Sequence, residues 1–423
     1  MTERLYYANS FLYDFVAALL DRRTLADGRT ALVLDRTAFY PTSGGQVFDV
    51  GWLELEPLEA SPGQFLPKFR VVEVAETDDG EILHIVEADD ARSPLPGDDS
   101  PTRVRGFIDV DRRRDHMQQH SGQHVLSAAF VELFQMPTVS FHMGEQSCTI
   151  DLEAKGLTAE QVRQAEARAN QLIWEDRPVA VQMAKEDEAR ALGVRKIPAA
   201  GHEKLRLVGI KDFDLCACGG THVRATGQIG VLLIRKTEKV KQGIRVEFVC
   251  GERAVRHARK DYETLIETAA TFSSHIWEVP AQVAKSMEES RAAAKREHKL
   301  KERVAELSAA DLLARSAEEK GIRLVAQFLP ESALDYAKLL AQKLTAAAPN
   351  VVALLGAGVG QAALVYAQSP GLPHDMGALM KASMASLGGR GGGSRDMAQG
   401  GVPGAAKLPE AIEEARAAIL GRL

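Results

Sequence analysis

Two short clusters of metal-binding side chains constrain the fold of this chain more than any other feature of its sequence. The first, HMQQHSGQH, runs from His116 to His124 and repeats histidine at every fourth residue, which places the three on one face of a helix. The second, CACGGTH, contains Cys218 and His222, also four residues apart and about ninety residues downstream. Thiolate and neutral imidazole are ligands that Zn²⁺ prefers, so a fold that joins the clusters makes a tetrahedral site.

Spacing leaves the choice of the four ligands open. His116 and His120 fit one ion as well as His120 and His124 do. The second cluster also has a spare donor, because Cys216 lies two residues before Cys218. A single helical histidine is usually a core or surface residue, but two such clusters in a chain with four cysteines favour zinc over coincidence.

Composition narrows the class of protein. A chain of 423 residues that is 45% hydrophobic and 26% charged is typical of a globular protein with two or three domains. The start, MTERLYYANSFLYDF, has no apolar run long enough for a signal peptide, and no later segment approaches a membrane span, so we expect no membrane association. Four scattered cysteines predict reduced thiols and a cytoplasmic location. The net charge of −6 argues against general DNA binding but allows a local basic groove.

The sequence predicts an α+β protein of four parts. Residues 1–100 contain short strand-like runs, a tight glycine turn in PTSGGQ and a hairpin signal in TDDG, which predict a small β-barrel or sandwich. The segment SPLPGDDSP is typical of a linker. Residues 101–252 mix strands with helices, one of them capped by Thr158, and form the α+β domain that contains the zinc site.

The second half is predicted to be helical and then α/β. No proline lies between Pro280 and Pro330, so residues 253–322 favour a long solvated helix or helical hairpin, a spacer or dimer strut. Its thin apolar seam consists of Met287, Leu300, Val304 and Leu307. Residues 323–423 predict a separate small α/β domain that carries the glycine tract GGRGGGSRDMAQGG.

The ordered motifs resemble one known family. HSGQHVLSAA followed by CGGTHV is similar to the paired motif of the editing domain of alanyl-tRNA synthetase, where it holds zinc. LDRTAFYPTSGGQVFDVGWL resembles the stretch that opens that domain, and ARANQLIWEDRPV, VRKI and GIRVEFVCGERA fit later pieces. The glycine tract resembles the C-terminal domain of the synthetase. Because the likeness begins within the first fifteen residues, we expect no aminoacylation core, and the chain resembles a freestanding alanyl-tRNA editing protein of the AlaX family, long form.

The resemblance implies a function and a set of site residues. The implied protein is a trans-editing hydrolase that needs no ATP and maintains the fidelity of translation. It cleaves the aminoacyl ester of tRNA(Ala) mischarged with serine or glycine. The implied zinc ligands are His120, His124, Cys218 and His222. The implied pocket residues are Thr37, which the family turns toward the seryl side chain, Gln46 of SGGQ, and Gln123, where the synthetases more often carry threonine.

Partners and alternatives follow from the same motifs. The tail domain is expected to grip tRNA, with Arg390 and Arg395 on phosphates, unless the glycine tract is a plain flexible loop. The runs RKTEKVKQGIR and DRRRDH are predicted to meet the RNA backbone. A homodimer through the spacer or the C-terminal domain is expected. Two other functions stay open: a non-catalytic tRNA-binding protein braced by zinc, and a deacylase of another mischarged tRNA or of a free ester.

Overall fold

The computed structural model of this chain describes residues 2–57, 68–88, 102–195, 204–241 and 243–421. Its contacts divide the chain into two compact units, Met1–Ile266 and Glu267–Leu423. Both contain helices and strands, which confirms the mixed α+β class, while the division into four parts stays a prediction. The predicted linker SPLPGDDSP lies outside the described residues, as do Lys196 and Ile197 of VRKI. None of the helices described is both long enough and apolar enough to span a membrane.

The first unit begins with strands that precede its first long helix. They are β1 (Glu3–Arg4), β2 (Asp14–Thr24), β3 (Thr30–Leu34), β4 (Arg36–Thr37), β5 (Gly51–Pro57), β6 (Lys68–Glu76), β7 (Ile82–Ala88) and β8 (Thr102–Ile108). Six of them form a closed barrel in the order β2-β3-β7-β6-β5-β8, while β1 pairs with β4. Alternate side chains fill the barrel, as in β2, where Phe15 and Ala17 are buried between exposed neighbours. The barrel is therefore a packed core, as the strand-like runs predicted.

The barrel extends beyond residue 100, where we predicted its domain to end. Strand β8 pairs with β2 on one side and with β5 on the other, so the barrel closes only through this strand. The boundary is therefore corrected to the end of β8. A segment rich in proline and glycine marks a connection in the chain, but its composition does not tell whether the connection lies within a domain or between two.

Helix α1 (Val110–Phe134) follows the barrel and is held to it by a fully buried ion pair between Arg113 and Asp49. Nε of Arg113 lies 3.1 Å from both carboxylate oxygens of Asp49, and its Nη2 lies 2.5 Å from Oδ2. The other guanidinium N–H groups donate to the carbonyls of Ser10 and Ala38. One side chain thus fixes the start of α1 against three segments of the N-terminal region.

The rest of the first unit packs helices on two antiparallel sheets. Its further elements are β9 (Thr138–Met143), β10 (Cys148–Leu152), α2 (Ala159–Trp174), β11 (Val179–Ala184), α3 (Glu186–Ala191), β12 (Leu205–Ile210), β13 (Asp214–Ala217), β14 (Leu232–Val240), β15 (Gly243–Cys250) and α4 (Gly251–Thr271), which contains the division between the units. The sheets have the orders β14-β15-β10-β9 and β11-β12-β13. Buried Leu126, Phe130, Leu172 and Phe248 share one core between α1, α2 and the four-stranded sheet. The predicted cap of α2 is confirmed, because Thr158 accepts the N–H of Gln161.

The second unit is a six-stranded sheet covered on both faces by helices. Its elements are α5 (Val279–Arg315), β16 (Glu318–Glu319), β17 (Ile322–Leu329), α6 (Leu334–Ala347), β18 (Val351–Ala357), β19 (Ala363–Gln368), α7 (Met376–Leu387), β20 (Arg390–Gly393), β21 (Met397–Gly401) and α8 (Leu408–Gly421). The strand order is β16-β17-β18-β19-β21-β20. Alternate residues of β18 and β19 point to opposite faces, one core lying under α5 and α6 and the other under α7 and α8.

The glycine tract forms strands β20 and β21, which pair with each other, rather than a plain flexible loop. Arg395, predicted to contact phosphate, donates instead to the backbone carbonyls of His374 and Pro373. Arg390 is exposed. Of the two arginines, Arg390 is therefore the one placed to meet a partner without first leaving its contacts.

The predicted long helix is confirmed as α5, which has 37 residues. Its apolar seam is exposed rather than buried within this chain, at Met287, Leu300, Val304 and Leu307. The buried residues of α5 are Val279 at its start and Ala305, Ala309 and Leu313 toward its end, and Ala309 and Leu313 belong to the core of the second unit. The homodimer through this helix stays a prediction.

We predict that Arg113→Met will strongly destabilise the protein, because Asp49 would keep a buried charge without its partner. The free energy of unfolding should fall by about 3–5 kcal/mol, the usual cost of removing one member of a buried pair. Chemical denaturation of the full chain measures this. The exposed neighbour offers a matched control, and Arg114→Met should change stability little. The double variant Arg113→Met/Asp49→Leu should recover part of the loss; no recovery would mean that the unpaired charge is not the cause.

Candidate metal centre

Four side chains of the first unit converge on one point: His120, His124, Cys218 and His222. One ligand atom from each lies within 4.8 Å of the others, and the three imidazoles are buried while Cys218 is partly exposed. Nε2 of His120 lies 3.4 Å from Sγ of Cys218, and Nε2 of His222 lies 3.3 Å from it. Donors held about 2.0–2.3 Å from one tetrahedral ion have such mutual separations. The two motifs thus meet, and His116 and Cys216 are not in the group.

The histidine pair lies on α1, where neighbouring polar residues are buried and paired. Gln119 accepts the backbone N–H of Cys250 at 2.8 Å and donates to its carbonyl at 3.0 Å. Gly122 is in contact with the same cysteine, because a Cβ at position 122 would lie 2.2 Å from Sγ of Cys250. The segment between His120 and His124 therefore docks closely on the end of β15, which fixes the direction of both imidazoles.

The second pair lies in the loop that follows β13, and Arg206 of β12 holds this loop in place. Nη1 of Arg206 donates to the carbonyls of Cys218, at 2.7 Å, and of Gly220, at 2.9 Å. Its Nε donates to the carbonyl of Tyr7. Position 220 has room only for glycine, because a Cβ there would lie 2.1 Å from Cε1 of His120. The Cys-Gly-Gly spacing thus allows the thiol and the imidazole of the other motif to approach.

Each histidine has a second partner that orients its ring. Nδ1–H of His120 donates to Oε1 of Gln46 at 2.8 Å, which leaves Nε2 to face the centre. Nδ1 of His222 lies 3.2 Å from Oγ of Ser121. Nδ1 of His124 lies 3.9 Å from Oδ2 of Asp214. The amide and hydroxyl are partners of the kind that fix the tautomer of a metal-binding imidazole, while the carboxylate of Asp214 lies at ion-pair distance from His124.

The electrostatics of the cluster favour a thiolate. Burial alone would raise the pKa of the Cys218 thiol, but His120 and His222 outweigh burial and lower that pKa well below its usual value. Burial lowers the pKa of His124, but the carboxylate of Asp214 and Cys218 outweigh it and raise the pKa to about 9. Burial raises the pKa of Asp214, and His124 outweighs this effect, with Arg195, to bring it to about 2. Without a metal, the site therefore holds a thiolate on Cys218 next to a protonated histidine. A divalent cation would replace that proton as the positive charge beside the thiolate.

The three predicted pocket residues differ from one another in their contacts with the centre. Gln46 is fully buried and bridges the motifs, since its Oε1 accepts from His120 and from the N–H of Thr221 while its Nε2 donates to Oγ1 of Thr221. Thr37 is fully buried, and its hydroxyl lies 2.8 Å from Nε2 of His84 and accepts the N–H of Phe39. Of Thr37 and Gln46, Gln46 is the one that has a hydrogen bond with a predicted metal ligand among the described residues.

Gln123, the third predicted pocket residue, lies on α1 between the two ligand histidines in the sequence. Its Nε2 donates to Oγ of Ser127 at 2.8 Å, and Ser127 also accepts a hydrogen bond from Thr138. The amide of Gln123 is thus engaged along the helix.

The two donors outside the predicted set lie apart from the centre in different ways. Cys216 is buried on β13, with Sγ 3.7 Å from the carbonyl of Ala217. His116 is 1% exposed, and its Nδ1 has no hydrogen-bond partner among the described residues. Burial lowers the pKa of His116 to about 3, with Arg112 and Arg253 contributing, so its imidazole is neutral.

Sequence reasoning missed four residues that support the centre: Ser121, Asp214, Thr221 and Arg206. Ser121 and Thr221 stand inside the two motifs, next to a ligand, which was a usable signal. Nothing local distinguishes Asp214 or Arg206, because their partners are distant in sequence: His124 for Asp214, and Tyr7 and the loop after β13 for Arg206. Polar residues that flank metal ligands are therefore candidates for orienting them.

We predict that Gly220→Ala will strip the protein of metal, because the new Cβ would overlap the ring of His120. Gly219→Ala is the matched control, since the nearest atom to its Cβ is the hydroxyl oxygen of Tyr7 at 3.4 Å. Elemental analysis of the purified proteins should find the metal lost from the first variant and retained by the second. Equal metal content in both would contradict the contact between Gly220 and His120.

Comparisons with known families match two segments of the chain. Residues 205–246, which include Cys218 and His222, match the family described as the threonyl and alanyl tRNA synthetase second additional domain. Residues 325–421, which lie in the second unit, match the DHHA1 domain. An alignment with the solved C-Ala domain of Aquifex aeolicus alanyl-tRNA synthetase covers 25% of this chain and 99% of that domain at 22% identity, but its TM-score of 0.24 does not establish a shared fold.

Similar proteins extend the likeness to nearly the whole chain. The alanyl-tRNA editing protein AlaX-L of Pyrococcus horikoshii is 29% identical over 407 residues, which are 95% of each protein. The alanine–tRNA ligases of Pyrococcus abyssi and Methanothrix thermoacetophila are 31% and 32% identical over 97% of this chain. The chain spans only 43% and 44% of the length of these two ligases. The resemblance predicted from the motifs is thereby confirmed: the chain has segments that match the synthetase second additional domain and the DHHA1 domain, and it is similar to AlaX-L over 95% of both proteins.

Proposed function

We propose that this chain is an aminoacyl-tRNA deacylase that edits mischarged tRNA(Ala). The reaction hydrolyses the ester that joins serine, or glycine, to the terminal ribose. The observation that carries the proposal is the single centre formed by HSGQH and CGGTH in a chain similar to an alanyl-tRNA editing protein over 95% of both lengths. Neither motif has the full set of donors without the other.

The metal of this proposal is zinc, and its ligands are His120, His124, Cys218 and His222. The support is a set of three buried imidazoles and one partly exposed thiolate, with a polar partner near each ring. When bound, zinc would supply Lewis acidity toward the ester carbonyl and toward water. Cys218, as the partly exposed ligand, lies on the side from which a substrate would arrive.

The closed shell of ligands also supports a second function. Four protein ligands are typical of structural zinc, whereas catalytic zinc keeps one position for water or substrate. On that alternative the protein binds tRNA without hydrolysing the ester, and zinc braces α1 against the loop after β13. The two functions differ in one measurable property, the loss of the amino acid from the RNA.

The proposed pocket residues are Thr37, Gln46 and Gln123. Gln46 would act by holding the ring of His120 and by tying it to Thr221. Thr37 would read the hydroxyl of serine by exchanging its present partner, His84, for the substrate. Gln123 would do the same by exchanging Ser127. A pocket that hydrogen-bonds a hydroxyl rejects an amino acid without one, because its own groups are then left unpaired.

The proposed partner is tRNA(Ala), and the surface limits where its backbone can bind. Much of the predicted basic run is neutralised, since Arg235 pairs with Asp261, Lys236 with Glu238 and Arg245 with Asp151. Lys239 and Lys241 line a cavity of about 840 Å³ together with Lys155. Phosphate contact is therefore proposed at that end of the hairpin. A homodimer through α5 or the C-terminal unit belongs to the same proposal.

A deacylation assay tests the function. The purified protein should release serine from Ser-tRNA(Ala) about 100-fold faster than alanine from Ala-tRNA(Ala), and should leave Ser-tRNA(Ser) largely intact. Chelation should stop the reaction and added zinc should restore it. Cys218→Ala should be inactive, while the buried Cys216→Ala should retain activity. If a zinc-loaded protein binds tRNA(Ala) without releasing the amino acid, the non-catalytic function is correct.

Thr37→Val tests the reading of serine. The loss of one hydroxyl contact of about 0.5–1.5 kcal/mol should lower the ratio of kcat/KM for Ser-tRNA(Ala) over Ala-tRNA(Ala) by roughly two- to tenfold. Stability should fall too, because His84 and the N–H of Phe39 lose their partner. Thr42→Val, at an exposed position nearby, is the control for both readings. An unchanged ratio in a folded, zinc-loaded variant would move the discriminating contact to Gln46 or Gln123.

A further inference from the structure

A cavity of about 710 Å³ lies in the first unit, one helical turn from the proposed metal ligands. Val47 and Phe48 form one side, and Arg112 and His116 of α1 form another. Arg253, in the first turn of α4, also lines it. Pockets of about 300–1,000 Å³ are of the size that binds small organic groups.

Neighbouring residues of one helix and one loop contribute to the cavity and to the metal centre. His116 precedes His120 by four residues on α1, so the two side chains lie on one face, about 6 Å apart along the axis. Val47 directly follows Gln46, which accepts the hydrogen bond from His120. Because the same helix and the same loop contribute to both sites, a ligand in the cavity would lie next to a substrate held at the metal.

The cavity contains an unsatisfied polar side chain. His116 is 1% exposed, and its Nδ1 has no hydrogen-bond partner among the residues described. A neutral imidazole has one donor and one acceptor nitrogen, and a buried polar atom of this kind is usually paired. His116 also lines the cavity, so its imidazole is a polar group on the wall that has hydrogen-bonding capacity left for a ligand.

The other walls select the kind of ligand. The guanidinium of Arg112 lies 5.4 Å from the ring centroid of Phe48, while its Nε donates to the carbonyl of Phe48. This pair offers flat surfaces for stacking. The cavity is lined by three arginines and five acids, and Arg253 is already paired with Asp115. That balance disfavours a phosphate and favours a neutral, flat group with hydrogen-bonding edges, which describes a nucleobase.

We propose that this cavity takes a nucleobase from the last two nucleotides of the RNA 3′ end. The edge of the base pairs with the imidazole of His116, and Arg112 and Phe48 provide the stacking surface. The distance of one helical turn between His116 and His120 matches one or two steps of a nucleic acid strand, at about 3.4 Å each. This inference rests on the proposed function, because that function brings an RNA 3′ end to the metal.

Binding of uncharged RNA tests the inference without requiring any hydrolysis. The probes are a fluorescent RNA hairpin that ends in CCA and the same RNA with its last two nucleotides abasic. The wild-type protein should bind the intact hairpin about three- to tenfold more tightly, the change expected from one buried hydrogen bond with its stacking. His116→Ala should bind both RNAs equally, and His116→Asn, which keeps a polar group, should retain part of the preference.

His142→Ala is the matched control, because His142 is an exposed histidine on β9. It should keep the wild-type preference. Equal binding of the two RNAs by the wild-type protein would overturn the inference, and so would a preference that survives unchanged in folded His116→Ala. Hydrolysis of Ser-tRNA(Ala) without a base preference would overturn this inference alone. A base preference that depends on His116, without hydrolysis, would support it while overturning the proposed deacylase.

Discussion

The buried pair of Arg113 and Asp49 is the interaction on which the centre depends. It joins the first turns of α1 to the segment just after the SGGQ turn. Both side chains are fully buried, so water does not screen the attraction between the two charges. Nη1 and Nη2 of Arg113 donate to the carbonyls of Ser10 and Ala38, so every nitrogen of the buried guanidinium is hydrogen-bonded. Because α1 is a rigid rod, this anchor near its start sets the position of His120 and His124, two and three turns further along.

Gln46 carries that positioning to the second motif. Its amide oxygen accepts from His120 of α1 and from the backbone of Thr221, while its nitrogen donates to the hydroxyl of the same threonine. One buried side chain of the barrel region thus orders both halves of a site whose ligands belong to the domain that follows. The barrel is for this reason part of the candidate centre rather than a neighbouring domain. A turn with two glycines brings the amide there, with Gly44 and Gly45 both at positive φ.

The proposed substrate has both an amino acid and a nucleic acid portion, and the two proposed sites lie close together. Three imidazoles and a thiol, with polar partners near the rings, could bind a metal ion. The neighbouring cavity is lined by apolar and charged side chains in which acids outnumber arginines, so it does not attract phosphate. Polar groups near the site are engaged with the protein itself, as with Thr37 and His84. Any recognition of a small hydroxyl by Thr37 must therefore compete with an existing hydrogen bond, which limits the discrimination it can give.

The sequence by itself determined the features that depend on local spacing. The donor pairs four residues apart, the capped helix after Thr158 and the long helix without proline could all be predicted, because each follows from helix periodicity or from the absence of a breaker. The tertiary structure decided which groups meet over long distances in the chain. The closing of the barrel by β8, the pairing of Arg235 with Asp261, and the contact of Gln46 with residues 74 and 175 positions away depend on strand register and packing. No local pattern encodes these contacts, since each partner is an ordinary polar residue until the fold buries the two together.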